Sequence, residues 1–219
     1  MELNADLSRR VALDMNQLDW VEEPSTGGWV KPLAQVLKAV WQHTGVARFP
    51  AGSRLSEYCA EGAEILVLEG ELSDETGDYP AGSYLKLPSH QTTLLATREG
   101  CVLFVKRGHL DPRDGQRVAL HTDARMWHPG LVPGLRVLSL GEFEGAHTAL
   151  VDWAPGTRFQ YHRHYGGEEI FVLSGVFQDE HGDYPAGTWL RSPHMSEHIP
   201  FSDQGCLIFV KVGHLPPPG

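Results

Sequence analysis

Apolar residues in this chain fall in short blocks, such as Ile65–Leu68, Val102–Val105, Ile170–Leu173 and Leu207–Val210. Glycine- and proline-bearing segments separate them: Gly62, Gly77 and Asp78, Pro80 to Gly82, and their partners later in the chain. Short β-branched and aromatic runs bounded by such punctuation predict strands and tight turns. Helical spacing of apolar positions appears only weakly, between Lys31 and Trp41. The pattern predicts an all-β protein with seven or eight short strands per copy of a repeat. A closed antiparallel barrel or jelly roll removes the exposed edges such a set would otherwise present.

The chain is written twice. Glu64–Gly70 returns as Glu169–Gly175, Asp74–Gly82 as Asp179–Gly187, and Gly100–Leu110 as Gly205–Leu215, always at an offset of 105. Between 64 and 88, 15 of 25 positions are identical to their partners, which is repetition at the scale of a domain rather than of a solenoid unit. The entries repeat too: Arg10–Leu13 precedes Trp20, and Arg117–Leu120 precedes Trp127. A polar Pro/Gly stretch, Asp111–Gly115, reads as the linker. The expected domains are therefore 1–114 and 115–219.

Composition narrows the function. The formal net charge of −10 disfavours phosphate backbones, so no nucleic-acid partner is expected. The start has no basic head followed by an apolar run, and no window of about 18 apolar residues exists, so neither a signal peptide nor a membrane span is expected. Three widely spaced cysteines, Cys59, Cys101 and Cys206, argue against a disulfide framework and for a cytoplasmic location. Cys101 and Cys206 sit in apolar runs and read as small buried hydrophobes.

The chemistry concentrates in the second copy. His162 and His164 lie two apart and would share one face of a strand. Gly166 and Gly167 permit a turn that returns Glu168, and a folded barrel could bring His198 to the same place. Three imidazoles and a carboxylate are donors for one divalent metal per chain, zinc or iron(II) first, with nickel, manganese and cobalt also compatible. Ile170 and Val172 share parity with Glu168 and are expected to line a pocket beside the metal. Phe209 and Lys211 are expected there too, on a strand of unknown facing. Tyr161 should face away from the site. No residue declares itself an acid, a base or a substrate clamp.

Gly156, His162, His164, Glu168 and Gly175, followed by Gly187, Pro193 and His198, resemble the two motifs of the cupin superfamily, whose fold is the double-stranded β-helix or jelly-roll barrel. Met195 replaces a usual glycine and Ser202 a usual asparagine, changes that bear on turn shape and not on ligation. Glu169, the run Asp179–Trp189 and the strand Gly205–Lys211 look like the cupin-like domain of ChrR anti-sigma factors, here as two tandem copies. In those factors a separate N-terminal helical domain with a His/Cys zinc site grips the sigma factor. No such segment appears here, so sigma-factor binding is not expected.

In the first copy the ligand positions become Glu57, Cys59, Ala63 and Thr93, too few good donors for a metal. His90 or Glu64 could assist only a two-point clamp. His109 and His214 recur in both copies and read as structural hydrogen-bonding residues. His181 and His194 read as exposed turn residues, and His43 belongs to no cluster. The resemblance implies a regulatory or stress-sensing module, or a ligand-binding one. The alternative it implies is an iron(II) cupin dioxygenase acting on a β-diketone or hydroxyaryl ketone, and a bound small molecule fits either. A metal serving structure alone is a third option. Cupins often pair, so a homodimer is compatible with the sequence, as is burial of the same face by the tandem copies.

Overall fold

The structure, a computed structural model, describes residues 2–24, 26–37, 41–89 and 93–217. His90 lies outside them. Twenty strands and two single-turn helices account for the regular structure described, so the short apolar blocks are strands. The described residues of the Lys31–Trp41 stretch, up to Leu37 and at Trp41, are strand rather than helix. Gly28–Leu37 and Trp41–Phe49 pair antiparallel. The register shifts between Pro32 and Ala34, because proline has no N–H to give the ladder.

Two compact units form, and each is antiparallel throughout. In the first, strands lie in the order Val21–Glu23, Gly28–Leu37, Trp41–Phe49, Cys101–Arg107, Ala63–Asp74, Ser83–Leu87 and Val118–His121. In the second, the order is Val11–Asp14, Thr188–Ser192, Glu168–Asp179, Cys206–Val212, Ala146–Trp153, Leu135–Phe143 and His128–Pro129. A two-stranded ladder in the second unit joins His162–His164 to Ser196–His198.

The units depart from the expected division at 114 and 115. The first comprises Met1–Ala5 and Leu18–Arg125, the second Asp6–Gln17 and Met126–Gly219. Each repeat lends its entry strand to the other unit. Leu13 stands opposite Trp189, and Leu120 opposite Tyr84, which is the repeat partner of Trp189. The reason is the shared sequence: Arg10–Leu13 and Arg117–Leu120 are near copies, so each can complete the same sheet edge.

Apolar residues of alternate parity fill the interior of each unit. Ile65, Val67, Leu85, Leu103 and Val105 do so in the first, and Ile170, Val172, Leu190 and Ile208 in the second. The three cysteines are buried and free. Among the described residues no helix is long and apolar enough to cross a membrane.

Candidate metal centre

The ladder between His162–His164 and Ser196–His198 assembles the site. His162 stands directly opposite His198, and His164 lies two residues along the same face. The three rings lie with centroids 4.5, 4.8 and 4.9 Å apart, and one ligating atom from each falls within 4.8 Å of the others. His164 Nε2 is 2.9 Å from His198 Nε2. Two donors bound side by side to one ion at about 2.1 Å would stand roughly 3 Å apart. Glu168 opens the next strand, with Oε2 3.5 Å from His164 Nε2 and 3.6 Å from His198 Nε2.

Local sequence explains this placement. Gly166 and Gly167 take φ of +80° and +65°, and a Cβ on Gly166 would lie 2.6 Å from Gly213 Cα. The turn that returns Glu168 therefore requires glycine. Met195, standing where the related motif has glycine, is forced to φ +67°, and its N–H donates to His164 O at 2.9 Å. Ser202 is buried, and its hydroxyl donates to Val176 O at 2.6 Å. His194 is half-buried rather than exposed and accepts the Gly166 N–H at 2.9 Å. His181 is exposed.

The electrostatics suit cation binding. Burial, with the neighbouring imidazoles, holds His164 down at about 3, and burial lowers His162 as well. Both rings are neutral at ordinary pH and keep a lone pair for a cation. Burial pushes the Glu168 carboxyl up to about 7. His162 Nδ1 lies 3.0 Å from Gln160 O, and His198 Nδ1 lies 3.4 Å from Asp179 Oδ2. An imidazole facing an acceptor puts its N–H there, so both rings direct a bare Nε2 inward. Inward lone pairs on neutral imidazoles beside a carboxylate are a donor set that fits a divalent metal.

The site forms one wall of a cavity of about 540 Å³. Its apolar lining includes Val151, Phe159, Phe177, Ile208, Val210 and Val212, and Leu131 and Tyr165 stand exposed at its mouth. The expected lining residues Ile170, Val172, Phe209 and Lys211 do not border it. Ile170 and Val172 share its face but are packed into the core. Glu168 pairs with Val212, Ile170 with Val210 and Val172 with Ile208, so the even positions of Cys206–Val212 face inward. Phe209 and Lys211 pair with Phe171 and Glu169 on the opposite, also buried, face. Tyr161 is exposed, on the face away from the metal donors.

Among the described residues the first unit has no such site. Residues 56–61 are turn rather than strand, with Glu57 exposed and Cys59 buried. Burial raises the Cys59 thiol to about 12, which removes it as a thiolate donor. Ala63 is in the core, Thr93 is half-buried, and Glu64 accepts the Tyr84 hydroxyl at 2.8 Å. Tyr58 fills the interior instead, edge-on to Phe49 at 5.1 Å and under the Arg107 guanidinium at 3.7 Å. His109 Nε2 lies 3.2 Å from Thr44 Oγ1, and His214 Nε2 lies 3.2 Å from Glu169 Oε2.

Sequence reasoning missed Asp179, Arg10 and Tyr184, which stand behind His198. The signal was present, because all three recur in the other copy as Asp74, Arg117 and Tyr79.

Comparison with known proteins agrees with this architecture. The chain superposes on a candidate dioxygenase from Nostoc punctiforme with a TM-score of 0.77 at 15% identity, covering 94% of this chain and 82% of that one. A candidate glyoxylate-induced protein from Pseudomonas aeruginosa gives 0.73 at 15% identity, covering 100% and 93%. Oxalate decarboxylase from Lactobacillus farciminis gives 0.62 at 12% identity, covering 94% and 86%. At these identities the likeness is of fold alone. No curated protein matches the sequence. The family model of the ChrR cupin-like domain matches residues 8–111 and again 115–216. The chain is therefore a tandem cupin and belongs to the ChrR cupin-like domain family.

Proposed function

We propose that the second unit binds one divalent cation, zinc or iron(II), on His162, His164, Glu168 and His198, and holds a small, largely apolar organic molecule beside it. One observation carries this reading: the four donors border a cavity of about 540 Å³ instead of being closed over by side chains. A structural ion has its coordination filled by protein, whereas a working ion keeps a position open toward space a ligand can enter.

The lining narrows the chemistry. Beyond the four donors it holds Arg163, whose guanidinium is paired with Glu197, the Tyr165 hydroxyl and Gln160. None is placed as a buried acid or base. The chain's residues would bind, orient and dehydrate the ligand, and the metal would supply activation of dioxygen or of a chelated oxygen pair when bound. An iron(II) dioxygenase acting on a β-diketone or hydroxyaryl ketone is the enzymatic form of this reading, and the shared fold of the Nostoc protein is compatible with it. Family membership supports a second form, a cytoplasmic regulatory module that binds ligand at zinc without turnover.

Elemental analysis of purified protein separates the two. Iron(II) with oxygen uptake on such ketones supports the enzyme. One equivalent of zinc with no uptake supports the regulatory module. His162→Ala combined with His164→Ala should abolish metal retention, and full retention would overturn the site.

A further inference from the structure

We propose that Asp179, held by Arg10 and Tyr184, is the positioning residue of His198, and that the arginine reaches it from the position just ahead of the entry strand of the first repeat. The proposal rests on reading the four donors as a metal centre. The Asp179 side chain has no exposure. Its Oδ1 accepts the Tyr184 hydroxyl and the His181 N–H, both at 2.8 Å. Its Oδ2 accepts Arg10 Nη2 at 2.6 Å and lies 3.4 Å from His198 Nδ1. Arg10 also donates to the Tyr184 hydroxyl at 2.8 Å. These contacts fix the carboxylate. A fixed buried carboxylate facing an imidazole admits only the tautomer with its N–H on Nδ1. The lone pair of Nε2 then points at the other donors, 2.9 Å from His164 Nε2.

The first unit supplies a natural control. Asp74 is equally buried, Tyr79 donates to its Oδ1 at 2.9 Å, and the Thr76 N–H does so at 2.7 Å. Arg117 Nη2 is 2.5 Å from its Oδ2 and 2.9 Å from the Tyr79 hydroxyl. The same clamp thus exists where the His198 position is Thr93 and the interior is plugged. Its shared role is to fix the corner of a hairpin. Among the described residues, only in the second unit does the free side of the carboxylate meet an imidazole. Arg10 stands 169 positions from Asp179 and acts on the site through it.

The test compares matched variants. Metal affinity is measured by competition with a chromophoric chelator, using zinc as the probe, and the His198 tautomer by nitrogen-15 NMR of metal-free protein. Asp179→Asn is expected to weaken zinc about 10- to 100-fold and to shift His198 toward the tautomer protonated on Nε2. Arg10→Met, which spares the carboxylate, should weaken zinc in the same direction. Asp74→Asn and Arg117→Met should leave affinity within about twofold. Wild-type affinity with an unchanged tautomer in both Asp179→Asn and Arg10→Met would overturn the proposal. So would equal weakening by the first-unit variants, which would mark a general loss of fold. Wild-type protein that takes up no zinc or iron(II) would sink the metal reading instead, while the tautomer measurement still decides the role of Asp179.

Discussion

Met195 shows how one residue carries the strain of the site. Its φ of +67° lies in the left-handed region, which costs a side-chain-bearing residue roughly 1–2 kcal/mol. It is 41% exposed, so little packing offsets that cost. Met195→Gly should therefore raise the unfolding free energy by about 1 kcal/mol, part of the relief being lost to the greater entropy of glycine in the unfolded chain. A urea titration reads it, and an unchanged or lower midpoint would show that the side chain makes a compensating contact. The zinc affinity should not move, because the backbone N–H that meets His164 O is kept. The donors themselves were legible from sequence because their spacing is local: period two places His162 and His164 together, and two glycines return Glu168. Asp179 and Arg10 were not legible as a pair, since they meet only through tertiary structure. Only their recurrence in the other copy marked them.

At the scale of elements, the strands were readable and their facing was not. Period-two alternation predicts that residues 208, 210 and 212 share a face, but not which face. The ladder with Glu168–Asp179 decides it, by setting Val212 opposite Glu168. Val210→Phe should therefore fill the cavity and weaken an apolar fluorophore at least tenfold, at an overpacking cost of about 1–3 kcal/mol. Dye binding at wild-type strength would mean that the inward face is misassigned. The first copy fails as a site at this scale too. Its counterpart of the His162–His164 strand is a turn, and Tyr58 occupies the interior. Glu57→Ala combined with Cys59→Ala should leave the metal content of the whole chain unchanged. A loss of metal would reveal a second site where the core now packs.

At the scale of the molecule, the exchange of entry strands and the burial of titratable groups set how the chain responds to its surroundings. A fragment of residues 115–219 lacks both Val11–Asp14 and Arg10, so it should bind zinc more weakly than the whole chain, and a peptide of residues 6–17 should restore affinity. Acid lability follows from two buried imidazoles in different units. Burial, with the charges of Arg107 and Lys106 adding to it, holds His43 at about 3, and burial with two neighbouring imidazoles holds His164 at about 3. Both native values lie below the ordinary 6.5, so the unfolded chain takes up these protons first. The stability they confer is complete above pH 6.5 and is lost as pH falls from there toward 3. Each histidine should cost up to about 1.4 kcal/mol per pH unit in that window. In metal-free protein Glu168, whose carboxyl burial pushes up to about 7, takes its proton first in the folded state and offsets about one of the two imidazoles over this window. The unfolding free energy should then fall by up to about 2 kcal/mol between pH 6.5 and 5, and His43→Gln should remove most of that fall. A flat profile over that range would mean that one or both imidazoles accept a proton in the folded protein. The fall should steepen when zinc is added, because metal-bound donors take up no protons in the folded protein while the same residues do in the unfolded chain.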